Sequence, residues 1–193
     1  MTKTFLNTSL VFVKSLNHFN ISLYSLIAMK EEKIITNVKV CQLDELPEAD
    51  RKLIEKAKEA TANSYAPYSR FHVGAAILMD NGEIVCGANQ ENAAFSSGTC
   101  AERSACFYAS ARYPGVRMRK IAIAAWTRLH HSPSDPDADC FQPSPISPCG
   151  SCRQSLLEYE ALYGDIEVLL YGKDKTYILP SIKSLMPLSF TEF

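Results

Sequence analysis

Three cysteines and one glutamate carry the clearest chemistry in the sequence. Pro148-Cys149-Gly150-Ser151-Cys152 is a Cys-x-x-Cys turn, and Cys100-Ala101-Glu102 sets another thiol two residues ahead of a carboxylate. Each group stands where a loop is expected to enter a helix, Ala101 to Tyr113 in one case and Ser151 to Tyr163 in the other. At a helix N-terminus the unpaired N–H groups and the positive end of the dipole favour thiolate over thiol, and thiolates bind soft or borderline cations. Zinc is the expected occupant. Two ligands from one turn and a third from a separate helix leave a fourth tetrahedral position for water, the arrangement of a catalytic ion. Glu102 is close enough to share that cavity without ligating, as a proton shuttle between the water and a ring nitrogen requires. Three thiolates overcompensate Zn2+ and blunt its Lewis acidity; Arg103, next in sequence, is placed to hydrogen-bond the sulfurs and withdraw that charge. A fourth thiol, from Cys86, Cys106 or Cys140, would instead close the three into a structural site, and spacing alone leaves that open.

The elements that must position these residues alternate between helical and extended patterns, the mark of a layered α/β domain. Pro47-Glu48-Ala49-Asp50 opens an amphipathic helix over 48–64, with Leu53, Ile54, Ala57 and Ala60 at helical spacing. Val73 to Met79 and Glu83 to Ala88 flank Asp80-Asn81-Gly82, a hairpin signal. Lys120 to Trp126 reads as a buried strand, and Glu167 to Tyr171 and Thr176 to Leu179 as the last two. A long surface loop rich in Pro, Asp, Ser and His fills 128–147. Its His130 and His131 suggest an accessory metal site less readily than a solvated loop. The first thirty residues have no acidic residue and no steady period. Their apolar stretches are shorter than the ~18 residues a membrane span needs, and Ile27 and Leu26 before Ala28 fit a signal-peptide cleavage site poorly. Residues 1–44 are therefore expected to be an extension, dispensable or poorly ordered at least to residue 28, with Met29 a candidate true start, and 45–193 the working domain.

Composition narrows the function further. Of 193 residues 47% are hydrophobic, and 20 Lys+Arg stand against 21 Asp+Glu, giving a formal charge of −1. That balance lacks the basic excess a phosphate backbone demands, so nucleic acid is not the expected ligand. Seven cysteines, an odd number, make a poor disulfide framework and read as thiols or ligands of a reducing, cytoplasmic compartment. No nucleophile elbow, Walker-type glycine loop or dinucleotide fingerprint is present.

A ligand-x-Glu followed by Pro-Cys-x-x-Cys is the signature of zinc deaminases, for which three cysteines are a permitted ligand set. The segments Tyr65 to Ala76, Gly87 to Ala93, Thr99 to Arg103 and Ser147 to Gln154 together resemble the nucleoside cytidine deaminases of the homotetrameric, three-cysteine type, over most of 45–190. That resemblance implies a three-layer α/β/α domain with a mixed five-stranded sheet, one Zn2+ per subunit, a homotetramer with shared active sites, and hydrolysis of cytidine and 2′-deoxycytidine in pyrimidine salvage. It also implies that Asn89 and Glu91 hold the ribose 3′-hydroxyl, that Phe71 and the Ala101 segment contact the nucleoside, and that a C-terminal aromatic, here Phe190, reaches over the pyrimidine of a neighbouring subunit. Asn89 and Glu91, two residues apart on an extended strand end, face one side and can share one hydroxyl. Two departures from the family stand out: the enlarged loop, and Phe95 where many relatives carry tyrosine. The same motifs also fit a deaminase of another cytosine nucleoside, such as an aminoacylnucleoside antibiotic, or a non-catalytic zinc-stabilised assembly protein.

Overall fold

The structure is a computed structural model that describes residues 30–127 and 141–191. It divides into two units, 1–35 and 36–193. In the first, the described residues 30–35 are exposed and without regular structure. The expectations placed on residues 1–29, on His130 and His131, and on most of the long loop lie outside the described residues.

The second unit is built on a mixed sheet. Its strands are β1 (Lys39–Cys41), β2 (Phe71–Met79), β3 (Ile84–Ala88), β4 (Met118–Thr127), β5 (Glu167–Tyr171) and β6 (Thr176–Leu179), in the order β1-β6-β5-β4-β2-β3. Only β4 and β5 run parallel. A parallel pair needs a crossover, and helix α3 (Gly150–Tyr163) supplies it. The β2–β3 turn forms at the Asp-Asn-Gly signal, with Gly82 at φ +86° and the Glu83 N–H donating to Asn81 Oδ1 over 3.1 Å.

Alternation along the strands writes the layers. Ala75, Ile77, Ile121, Ile123, Val168 and Leu170 point to one face, where they pack with helix α2 (Ala101–Arg112) through Ala101, Ala105 and Ala109 and with α3 through Leu156 and Leu157. Ala76, Ala122, Ala124 and Leu169 point to the other, against Leu53, Ile54 and Ala57 of helix α1 (Glu48–Ala60). The result is the three-layer α/β/α arrangement. Small residues set the spacing: a Cβ at Gly87 of β3 would stand 2.4 Å from the Ala105 nitrogen and 2.6 Å from the Ala101 oxygen, so α2 rests directly on the β3 backbone.

Three expectations need correction. The sheet has six strands instead of five, and the extra one, β1, lies inside the segment expected to be an extension; the compact unit begins at Thr36, not at residue 45. β1 pairs through its backbone with β6, Lys39 opposite Ile178 and Cys41 opposite Thr176. At three residues it is too short to display a period, and Val40 is 58% exposed, so no burial pattern marks it. Helix α1 ends at Ala60 and passes into a 3-10 turn over Thr61–Asn63, short of residue 64.

Candidate active site

Helices α2 and α3 share one face of the sheet and bring their N-termini together. Cys100 is the N-cap of α2 and Cys149 the N-cap of α3, both in extended backbone (ψ 156° and 166°), and Cys152 sits in the first turn of α3. The three Sγ atoms lie within 4.8 Å of one another, with Cys100 to Cys149 at 4.0 Å and Cys149 to Cys152 at 3.4 Å. Three sulfurs bound to one zinc at about 2.3 Å and tetrahedral angles stand about 3.8 Å apart, so the donor set fits that ion without rearrangement. Among the described residues no further His, Cys, Asp or Glu joins the cluster. Cys106 is buried on α2, where desolvation pushes its thiol up to about 12, and Cys86 is exposed on β3. Neither closes the site into a four-thiolate one.

The surroundings of Cys100 favour its thiolate. A hydrogen bond from the Cys152 thiol is the main influence that lowers Cys100 to about 5, with the Arg103 guanidinium adding to it against the cost of burial. The shared proton correspondingly raises Cys152, which is also buried. Against the cost of burial, Cys100 and Cys152 raise the Arg103 guanidinium, whose buried Nε has no hydrogen-bond partner. Glu102 is only 5% exposed, and burial pushes its carboxyl above the ordinary carboxylate range against the pull of its own backbone N–H. Burial of this kind favours the protonated form of a carboxyl, which is what a group that passes a proton on must be able to adopt.

A cavity of about 570 Å3 reaches the cluster at Cys100 and is lined also by Arg103, Asn89, Glu91, Tyr68 and Phe95. Tyr68 and Phe95 meet edge to face at 6.2 Å between ring centroids, and Phe95 is 85% exposed. Among the described residues Phe71, Ala101, Glu102, Cys149, Cys152 and Phe190 are not in the lining of this cavity, and of the cysteine triad Cys100 alone is. Phe71 is half-buried against the core cluster at the start of β2, and Ala101 is fully buried at the start of α2. Phe190 is 65% exposed, its carbonyl accepting from Gln154 Nε2 over 2.9 Å.

The family model for the cytidine and deoxycytidylate deaminase zinc-binding region matches residues 47–163. The chain belongs to this deaminase family. A cytidine deaminase of Sporosarcina psychrophila is 38% identical over 149 residues, covering 72% of this chain and 94% of its own. One from Halalkalibacterium halodurans is 38% identical over 139 residues, covering 72% and 92%. Among solved structures, the cytidine deaminase of Burkholderia pseudomallei has a TM-score of 0.58 and 34% identity over 75% of this chain and all of its own. That of Mycobacterium tuberculosis has 0.55 and 28% over 76% and 99%. The protein is thus a zinc-binding deaminase, and the cysteine triad at the two helix N-termini is placed so that it could hold a metal ion. No helix among the described residues is long and apolar enough to cross a membrane.

Arg153 braces the Cys-x-x-Cys turn and Glu160 braces the far end of α3, and the motifs assign a role to neither. Arg153, directly after Cys152, donates from Nε to Pro148 O (2.8 Å), from Nη1 to Leu185 O (2.8 Å) and from Nη2 to Ser147 Oγ (2.9 Å), so it pins the ligand turn to the C-terminal segment. Buried Glu160, at the far end of α3, accepts from the main-chain N–H of Ile166 (2.9 Å), Ile182 (2.7 Å) and Lys183 (2.9 Å). An acid in helical phase with Leu156 and Leu157 was the available signal.

Proposed function

We propose that this protein hydrolyses cytidine and 2′-deoxycytidine to uridine and 2′-deoxyuridine, releasing ammonia, with Glu102 as the proton carrier over a zinc held by Cys100, Cys149 and Cys152. The observation that carries the reading is a three-sulfur cluster whose Cys100 lines a cavity together with Asn89 and Glu91, with the buried carboxyl of Glu102 two residues along α2 from that cysteine. A zinc held there by Cys100, Cys149 and Cys152 would supply the Lewis acidity that lowers the pKa of a water. Glu102 takes a proton from the attacking water and delivers it to N3 of the base, which makes C4 electrophilic toward the hydroxide. After addition at C4 the same carboxylate carries the hydroxyl proton to the departing amino group, each positioned transfer contributing roughly 10²- to 10⁴-fold. Arg103 withdraws charge from the sulfurs. Asn89 and Glu91 take the 3′-hydroxyl of the sugar, and Phe71 and the buried Ala101 segment support the nucleoside.

In the same reading the working form is a cytoplasmic homotetramer, and Phe190, exposed in the single chain, closes the site of a neighbouring subunit. A neutral nucleoside suits a chain with a formal charge of −1. The test is the purified protein assayed for cytidine absorbance loss alongside metal analysis and light scattering. Turnover with one zinc per chain in a tetramer supports the reading. Full zinc with no turnover of cytidine or 2′-deoxycytidine refutes the activity, and a fully active monomer refutes the role of Phe190.

A further inference from the structure

The segment over 64–69 acts as a bracket for the strand end that carries Asn89 and Glu91. Tyr65 N–H donates to Asn89 O over 3.0 Å, and Glu91 N–H donates to Tyr65 O over 2.8 Å. The N–H groups of Tyr68 and Ser69 both reach Glu91 Oε2, at 2.9 and 3.2 Å. These are main-chain bonds that almost any sequence could supply. Ser64 is different: its hydroxyl meets Asn89 Oδ1 at 2.6 Å.

The direction of that bond follows from its neighbours. Val73 N–H, which can only donate, lies 2.8 Å from Asn89 Oδ1, and Phe71 O, which can only accept, lies 2.9 Å from Asn89 Nδ2. The carboxamide therefore has one possible orientation, and the Ser64 hydroxyl must donate to Oδ1. With Val73 and Ser64 both bound, the two lone pairs of Oδ1 are filled, and the amide retains one N–H to offer a ligand. Beside it, the Glu91 carboxylate offers only acceptors. A donor and an acceptor side by side match a single hydroxyl, which both accepts and donates.

We propose that Ser64 is a positioning residue for sugar recognition, holding Asn89 as an obligate donor so that the Asn89–Glu91 pair reads one free hydroxyl. The inference rests on the proposed role of that pair at the 3′-hydroxyl. Ser64 is not among the residues lining the cavity and acts through Asn89. Removing its hydroxyl reopens a lone pair on Oδ1, which then competes for the same sugar proton as Glu91 and loosens the amide.

The test compares cytidine with 3′-deoxycytidine on the zinc-loaded wild type, Ser64→Ala and Ser64→Thr. Ser64→Ala is expected to raise KM for cytidine about fivefold, the effect of one well-placed hydrogen bond, with kcat kept. KM for 3′-deoxycytidine stays unchanged, and Ser64→Thr, which keeps a hydroxyl, restores the cytidine value. An equal change in KM for both substrates, or none for either, overturns the role of Ser64 while leaving that of Asn89 and Glu91 intact. A wild type that handles the two substrates alike removes the sugar reading of the pair, and the role of Ser64 with it.

Discussion

Glu160→Gln is a sharp probe of how α3 is held, because the substitution keeps shape and removes charge. The carboxylate accepts on Oε2 from Ile166 and Ile182 and on Oε1 from Lys183, so it joins the end of α3 to the start of β5 and to the turn after β6. A glutamine has one acceptor oxygen. If that oxygen faces Ile166 and Ile182, both bonds weaken from charged to neutral and the amide NH2 is driven against the Lys183 N–H, two donors without an acceptor between them. Bonds to a charged acceptor contribute about 1.5–3 kcal/mol each, and release from burying the charge offsets part of the loss, leaving a net destabilisation of about 2–3 kcal/mol. For a chain of this size that lowers Tm by about 5–10 °C. Thermal unfolding of the zinc-loaded protein measures it, and zinc content and kcat well below Tm stay at wild-type levels, since the ligand turn is tied separately by Arg153. A Tm unchanged within error would refute the reasoning, because three main-chain donors would then have found other acceptors.

Gly87→Ala drives a Cβ into the α2 backbone at Ala101 and Ala105, beside the ligand Cys100. It is expected to cost about 3 kcal/mol and to lower zinc content, both read on the purified variant. Alkylation of the native protein at about pH 8 leaves Cys106 unmodified by peptide mapping, because its thiol needs a pH near 12 to ionise and is buried. The Ser69 hydroxyl, aided by the N–H groups of Tyr68 and Ser69, holds Glu91 below the ordinary carboxylate range. Falling pH removes this acceptor only beneath that range, so KM for cytidine stays flat down to about pH 5. Ser69→Ala moves the rise in KM to higher pH.

Much of the site was legible because its chemistry fixes both residue type and spacing. A Cys-x-x-Cys turn and a Cys-x-Glu pair each announce a helix N-terminus, and helices joined through a parallel crossover must place those ends on one side of the sheet. Strands Glu167–Tyr171 and Thr176–Leu179 fell where their apolar runs put them. The edge strand β1 stayed hidden because its one valine, Val40, is exposed and its pairing is carried by backbone alone. Ser64 and Glu160 were equally silent. Their partners are groups on other segments, up to 23 residues away for Glu160 and 25 for Ser64, and hydrogen bonds of that kind leave no period in a sequence. Asp50 read as a helix-opening acid, yet it is buried and bonded at 2.7 Å to Lys120, which also meets Glu167 at 2.9 Å. Phe71 and Phe190 mark the opposite limit: their positions were plain, but a half-buried core contact and an exposed ring do not declare a ligand.

The proposed role of Glu102, carrying the protons of a hydrolytic deamination beside a zinc held by three cysteines, is decided by Glu102→Gln with zinc content and cytidine turnover measured on one preparation. Wild-type zinc with turnover lowered by roughly 10²- to 10⁴-fold is expected. Wild-type zinc with unchanged turnover would contradict it.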